Sequence, residues 1–195
     1  VLDRSGSMDG APLAEARRCA DSELSSLRPT DTAAIVTFDD RVWTLWPAVP
    51  VGDGRSQRDA IAGIRSGGQT NLHGGWEAGA RALAAVPGQG IKRVMLLSDG
   101  AANAGITDSA VIAAHCRAAA ARGVTTTTCG LGRGFNEALM IAMGQAGGGN
   151  HHYGERAEDL MGPWPGDAPN SRPASACGSC AIWRPAATGW PLIAC

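Results

Sequence analysis

Four consecutive apolar residues, Val94-Met95-Leu96-Leu97, run straight into Ser98-Asp99-Gly100. A strand with one wet face alternates apolar and polar positions. An unbroken run therefore marks a strand covered on both faces, as in a parallel sheet between layers of helix. A strand is expected over Ile91–Ser98, and the chain repeats the theme on either side. Leu13, Ala16, Ala20, Leu24 and Leu27 recur at spacings of three and four, predicting a helix over about 12–28 that Pro29 stops. Strands are expected over Asp31–Phe38 and Val42–Trp46. The link Asp39-Asp40-Arg41 is too short for a crossover, so this pair must be antiparallel, with the second strand at an edge. A Pro/Gly-rich loop follows over 47–54, then helices over Arg55–Ile64 and about 73–86. Beyond Ser98, Thr107 is expected to cap a helix over 108–122, followed by a strand over Val124–Gly130, a helix over Phe135–Gly144 and a last strand over Asn150–Gly154. The pattern predicts an α/β, doubly wound domain: a mostly parallel sheet flanked by helices, with one antiparallel edge strand.

The oxygen-bearing side chains fall at the junctions of this pattern. Asp3, Ser5 and Ser7 stand at alternate positions in Val-Leu-Asp-Arg-Ser-Gly-Ser-Met, where the first strand gives way to helix. Thr70 lies in Gly-Gly-Gln-Thr-Asn-Leu at 67–72, and Asp99 closes the apolar run. Asp3 and Asp99 each end a predicted strand, and open α/β sheets bind ligands outside the carboxyl ends of their strands. Together the five offer only oxygen, the donor set of a hard cation such as Mg²⁺ rather than of zinc or copper. Gly6, Gly67 and Gly68 are expected to allow the tight curvature around them. Taken singly, each fragment has a plainer reading as a helix cap or turn.

In that order, Asp-x-Ser-x-Ser, a lone Thr and an Asp closing an apolar run resemble the metal-ion-dependent adhesion site of bacterial von Willebrand factor type A (VWA) domains. The resemblance covers roughly residues 1–160 and implies a Rossmann-like fold. It implies that Ser5 and Ser7 bind the ion directly, and that Asp3, Thr70 and Asp99 bind it directly or through water. The ion would be Mg²⁺, with Mn²⁺ or Ca²⁺ as substitutes. The function implied is non-enzymatic: capture of an Asp or Glu side chain from a partner protein, whose carboxylate completes the coordination shell. The compartment stays open between the cytoplasm and attachment at the cell surface.

Other functions compete less well. A Mg²⁺-dependent hydrolase would need a general base, for which His73 and the Asp39-Asp40 pair are the candidates. A dehalogenase-type phosphatase wants a second Asp two residues after the first, where Ser5 stands. The chain has neither a Gly-x-Ser-x-Gly elbow nor a phosphate loop ending in Gly-Lys-Ser/Thr. His151 and His152 occupy neighbouring strand positions and should face opposite ways, which spoils them as a metal pair. A net charge of −1 gives no footprint for nucleic acid, and no apolar stretch is long enough for a membrane-spanning helix.

Both ends of the sequence depart from the pattern. Only two residues precede Asp3, where a parallel strand usually has about five, so the first strand reads as truncated. Cys19, Cys116 and Cys129 fall inside the predicted elements and are expected to be buried thiols. From 161 to 195 the chain is an irregular Pro/Gly/Trp/Cys-rich tail, with six prolines, three tryptophans and three charged residues. Ala157–Leu160 resembles the start of a closing helix that Gly162, Pro163 and Pro165 end at once. A reading-frame shift near 160–162 is one expectation, and with it a truncated, non-functional fragment becomes a third reading. Cys177, Cys180 and Cys195 are one ligand short of a structural zinc site.

Overall fold

The computed structural model describes residues 1–88, 90–132 and 136–154. Within them lie β1 (Leu2–Asp3), β2 (Thr32–Phe38), β3 (Val42–Pro50), β4 (Lys92–Ser98), β5 (Val124–Leu131) and β6 (Gly148–Gly154). The helices are α1 (Ala11–Ser26), α2 (Arg55–Ala62), α3 (Leu72–Ala84), α4 (Ser109–Ala120) and α5 (Glu137–Ala146), with a 3₁₀ turn at Gly6–Met8. The strands form one sheet in the order β3-β2-β1-β4-β5-β6. Every neighbouring pair is parallel except β2 with β3. The chain thus starts in the middle of the sheet, builds outward on one side, then returns to build the other. The reversal falls between β1 and β4, where a doubly wound sheet opens its crevice.

Alternation along β4 shows why both faces are apolar. Leu97 packs with Leu13, Ala16 and Cys19 of α1 and Ile61 of α2 on one face. Val94 and Leu96 pack on the other with Trp76 of α3, Ile112 and Cys116 of α4, and Met140 and Met143 of α5. Trp76 keeps its polar handle satisfied inside this second layer by donating from Nε1 to Thr126 Oγ1 at 2.9 Å. Helix α3 approaches β2 so closely that a Cβ on Gly75 would lie 2.2 Å from Phe38 Cδ1, so only glycine fits there. Cys19, Cys116 and Cys129 are fully buried, as their positions suggested.

Three local expectations change. Strand β3 runs on through Pro47 to Pro50, where the sequence suggested a loop; it is an edge strand, and an edge tolerates residues without a ladder N–H. Asp108, not Thr107, caps α4, its Oδ1 accepting from the amides of Ala110 and Val111. Gly6 adopts an ordinary φ and a Cβ there would meet only Gly68 O at 3.5 Å, so the curvature does not depend on glycine. The same holds for Gly67, whereas Gly68 has φ +74°. The closing helix, the tail and its three cysteines lie outside the described residues.

Candidate metal centre

Strand β1 delivers Asp3 to the carboxyl edge, and the backbone folds back over it at once. Asp3 is fully buried, and both carboxylate oxygens are held: Oδ1 accepts from Ser5 N at 2.8 Å and Oδ2 from Ser98 Oγ at 2.5 Å. The Asp3 carboxyl is raised to about 6: burial is the largest cause and the negative charge of Asp99 adds to it, while the hydrogen bonds from Ser5 and Ser98 pull the other way. A carboxylate removed from water in this way is costly unless a cation or donors compensate it. Ser98 Oγ donates to Asp3 and accepts from Gly100 N, so the end of β1 and the loop that begins with Asp99 share one neighbourhood.

Ser5 and Ser7 are not helix caps. Ser5 precedes the 3₁₀ turn and Gly10 precedes α1, and neither makes a side-chain capping bond. The two hydroxyls instead face each other at 3.1 Å. Adjacent vertices of an octahedral Mg²⁺ shell, with bonds of 2.0–2.1 Å, are separated by about 2.9 Å, so the hydroxyl pair has the right spacing. Ser5 is buried and Ser7 exposed, which orients the pair from the sheet edge outward.

Thr70 is brought to the same edge by backbone stitching. Gly67 N donates to Arg4 O at 2.8 Å and Gly6 N to Gly68 O at 3.0 Å, joining the loop before α3 to the Asp3–Ser7 segment. Gly68 is required: a Cβ there would sit 2.4 Å from Asp40 Oδ1 and 2.9 Å from Asp39 Cβ. Asn71 caps α3 by accepting from Gly74 N, which leaves Thr70 just outside the helix and buried. Thr70 N donates to Asn103 Oδ1 at 2.7 Å, while Thr70 O accepts from the amides of Asn103 and Ala104 at 3.1 Å each. Those residues belong to the loop that begins with Asp99, so all three loops are cross-connected. Asp99 is half-buried; its Oδ1 accepts from Ala101 N at 3.2 Å in the turn predicted by Asp99-Gly100.

Ser98 and Asn103 were missed by sequence reasoning. Ser98 had a signal, a hydroxyl ending an otherwise apolar buried run. Asn103 had none, since its role depends on a loop 33 residues away. Arg4 was overlooked too: its guanidinium binds Asp39 Oδ2 at 2.9 Å and lies 4.6 Å over the Trp43 ring.

Two of the three candidate bases of a hydrolase are otherwise engaged, while Asp40 is exposed, with its Oδ2 3.8 Å from Arg41 Nε. Asp39 is buried against Arg4 and also accepts from Arg41 N. His73 is buried beneath α3, its Nε2 2.7 Å from His115 Nδ1 and its ring packed near Trp76; burial lowers its pKa. His151 binds Thr128 through Nδ1. Among the described residues no cluster of three or more His, Cys, Asp or Glu side chains could hold a metal. A metal site at this edge would have to be built largely from hydroxyls.

The von Willebrand factor type A domain model matches residues 1–161, and the chain belongs to this family. The protein named YfbK in Escherichia coli strain K12 is 31% identical over 158 residues, which are 78% of this chain and 27% of YfbK. The chain thus spans roughly a quarter of that relative. A von Willebrand factor type A structure from Catenulispora acidiphila superposes with a TM-score of 0.70 at 17% identity, covering 82% of this chain and 38% of that one. Proximal thread matrix protein 1 from the mussel byssus, in a form with a zinc-occupied MIDAS motif, gives a TM-score of 0.65 at 20% identity, covering 82% and 44%. At such identities these likenesses carry the fold.

Proposed function

We propose that this domain is a divalent-metal-dependent protein-binding module in which Ser5, Ser7, Thr70, Asp3 and Asp99 hold one Mg²⁺. The observation that carries the reading is the facing pair of Ser5 and Ser7 hydroxyls, unused as caps, beside a buried carboxylate. Zinc in the mussel neighbour's motif supports a divalent ion, and the all-oxygen donor set favours Mg²⁺, with Mn²⁺ or Ca²⁺ able to substitute. Two carboxylates balance the charge of one dication and the hydroxyls add none, so the ion retains attraction for an outside carboxylate. The ligand proposed is therefore an Asp or Glu side chain of a partner protein.

Two of the three candidate bases, Asp39 and His73, are bonded elsewhere; this supports binding over hydrolysis. The test is calorimetric titration of Mg²⁺ into the wild type and into Asp99→Ala and Thr70→Val, with circular dichroism as the control for folding. The expected result is measurable binding by the wild type and at least a tenfold loss in each variant. Equal affinity in all three, with the fold retained, refutes the ligand set.

A further inference from the structure

Helices α3 and α4 touch through two imidazole rings. His73, in the first turn of α3, is buried, and its Nε2 lies 2.7 Å from Nδ1 of His115, which is exposed in the middle of α4. The ring centroids are 4.9 Å apart, as far as the contact and two ring radii laid end to end, so the two nitrogens point at each other. Lone pairs aimed head-on cannot converge on a common metal ion; they share a proton. Among the described residues no other hydrogen bond joins these helices. Farther along, a cleft of about 220 Å³ opens, lined by Trp76, Ala80 and Arg81 of α3 and by Ala118 and Arg122 of α4 among others.

A neutral imidazole has one N–H and one lone pair. The contact therefore needs one proton between the rings and excludes two. A first added proton is accommodated at exposed His115, which as an imidazolium donates from Nδ1 to His73 Nε2 while His73 carries its own proton on Nδ1. A second has no place, because both facing nitrogens would then be donors. Burial is the largest effect on His73 and opposes that proton; Glu77 favours it, while His115 and Arg81 oppose it, so it binds below the ordinary 6.5. From the sheet α3 meets Phe38 and Val94, neither of which titrates, and Asp39 at the end of β2 is paired with Arg4. Arg122 shares the cleft with His115.

Each helix starts from one of the loops at the carboxyl edge of the sheet. Thr70 leads through the cap Asn71 into α3, and the loop from Asp99 leads through the cap Asp108 into α4. Thr70 N donates to Asn103 Oδ1, and Thr70 O accepts from the amides of Asn103 and Ala104. Asn71 also lies against Gly105, where a Cβ would sit 2.4 Å from its Oδ1. We propose that the His73–His115 contact is a proton-sensitive latch between α3 and α4. Closed while at least one ring is neutral, it holds the Thr70 and Asp99 loops in register; it opens on acidification, when both rings carry charge. Weaker Mg²⁺ binding on opening is a consequence that rests on the ligand set proposed above, whereas the latch itself does not.

The test uses the metal-free chain. Amide exchange at Thr70, Asn103 and Ala104, corrected for intrinsic rates, is compared at about pH 7.5 and about pH 5 in the wild type, His115→Ala and His115→Asn. Residue 115 is exposed, so all three chains are expected to fold, with circular dichroism as the control. Wild-type protection at these amides is expected to fall at least tenfold on acidification. His115→Ala should already be unprotected at the higher pH, and His115→Asn, whose amide can hold the bond without titrating, should stay protected at both. Asp3, raised to about 6, titrates in every chain, so the difference between chains isolates the latch. Nitrogen-15 spectra of the rings should show one shared proton near neutrality. Equal pH dependence in wild type and His115→Ala, or rings that titrate without sensing each other, overturns the proposal. None of these readouts needs Mg²⁺, so failure of the ligand set leaves the latch standing, and the reverse.

Discussion

The carboxyl end of the sheet and the apolar layers on its two faces solve opposite problems. At the carboxyl end, three loops distant in sequence are joined by backbone and hydroxyl hydrogen bonds: Gly6 to Gly68, Thr70 to Asn103, Ser98 to Asp3. In the layers on either face of the sheet, apolar side chains of α1 and α2 pack on one side and those of α3, α4 and α5 on the other. Polar stitching has direction, so it can set oxygen atoms at defined spacings. Apolar contact has little, so it supplies stability without fixing geometry. A coordination site belongs with the first of these.

That contrast can be broken by mutation. Met143, fully buried on the α5 side of the core, contributes apolar contact alone. Met143→Ala is expected to cost about 2–5 kcal/mol in urea unfolding, with Mg²⁺ affinity unchanged when measured below the unfolding range. A parallel loss of affinity would mean that core and site are not separable. Gly68→Ala attacks the stitched end: its φ of +74° and the crowding by Asp39 and Asp40 resist any side chain. The cost expected from the backbone conformation is about 1–3 kcal/mol, accompanied here by weakened Mg²⁺ binding, because Gly68 O holds the Ser5–Ser7 segment through Gly6 N. Calorimetry and urea unfolding on the same variant check both parts.

The smallest effect concerns pH. Burial lowers the pKa of His73 from 6.5, so the folded state resists a proton that the unfolded chain accepts. His73 therefore contributes stability fully present above about pH 6.5 that is lost as pH falls through that value toward the folded pKa. Between pH 7.5 and 5.5 the wild type should lose stability relative to His73→Phe, a difference that removes the contributions of other groups. An unchanged difference in thermal unfolding would show that the His73–His115 contact tolerates the proton.

Much of this architecture was legible because it rests on local pattern. The apolar run at Val94–Leu97, the helical spacing from Leu13 to Leu27 and the short link at Asp39–Arg41 predicted a buried parallel strand, a covering helix and an antiparallel edge. The missed details were tertiary. Whether Pro47 and Pro50 could sit in a strand depended on β3 having no outer neighbour among the described residues, which no local pattern states. Which glycine was indispensable depended on Asp40 approaching Gly68 rather than on the Gly-Gly pair itself. His73, expected at the start of a helix, stood as a candidate base beside the crevice; α3 turns it inward onto His115.

The sequence alone determined which groups are available: five oxygen-bearing side chains at strand-to-helix junctions, because residue identity and apolar period are local properties. Tertiary structure decided which of those groups meet and what steadies them, including Ser98 against Asp3 and Asn103 against Thr70. Those relations arise only when the chain reverses direction across the sheet, since residues far apart in sequence acquire a distance only once packing fixes the strands between them.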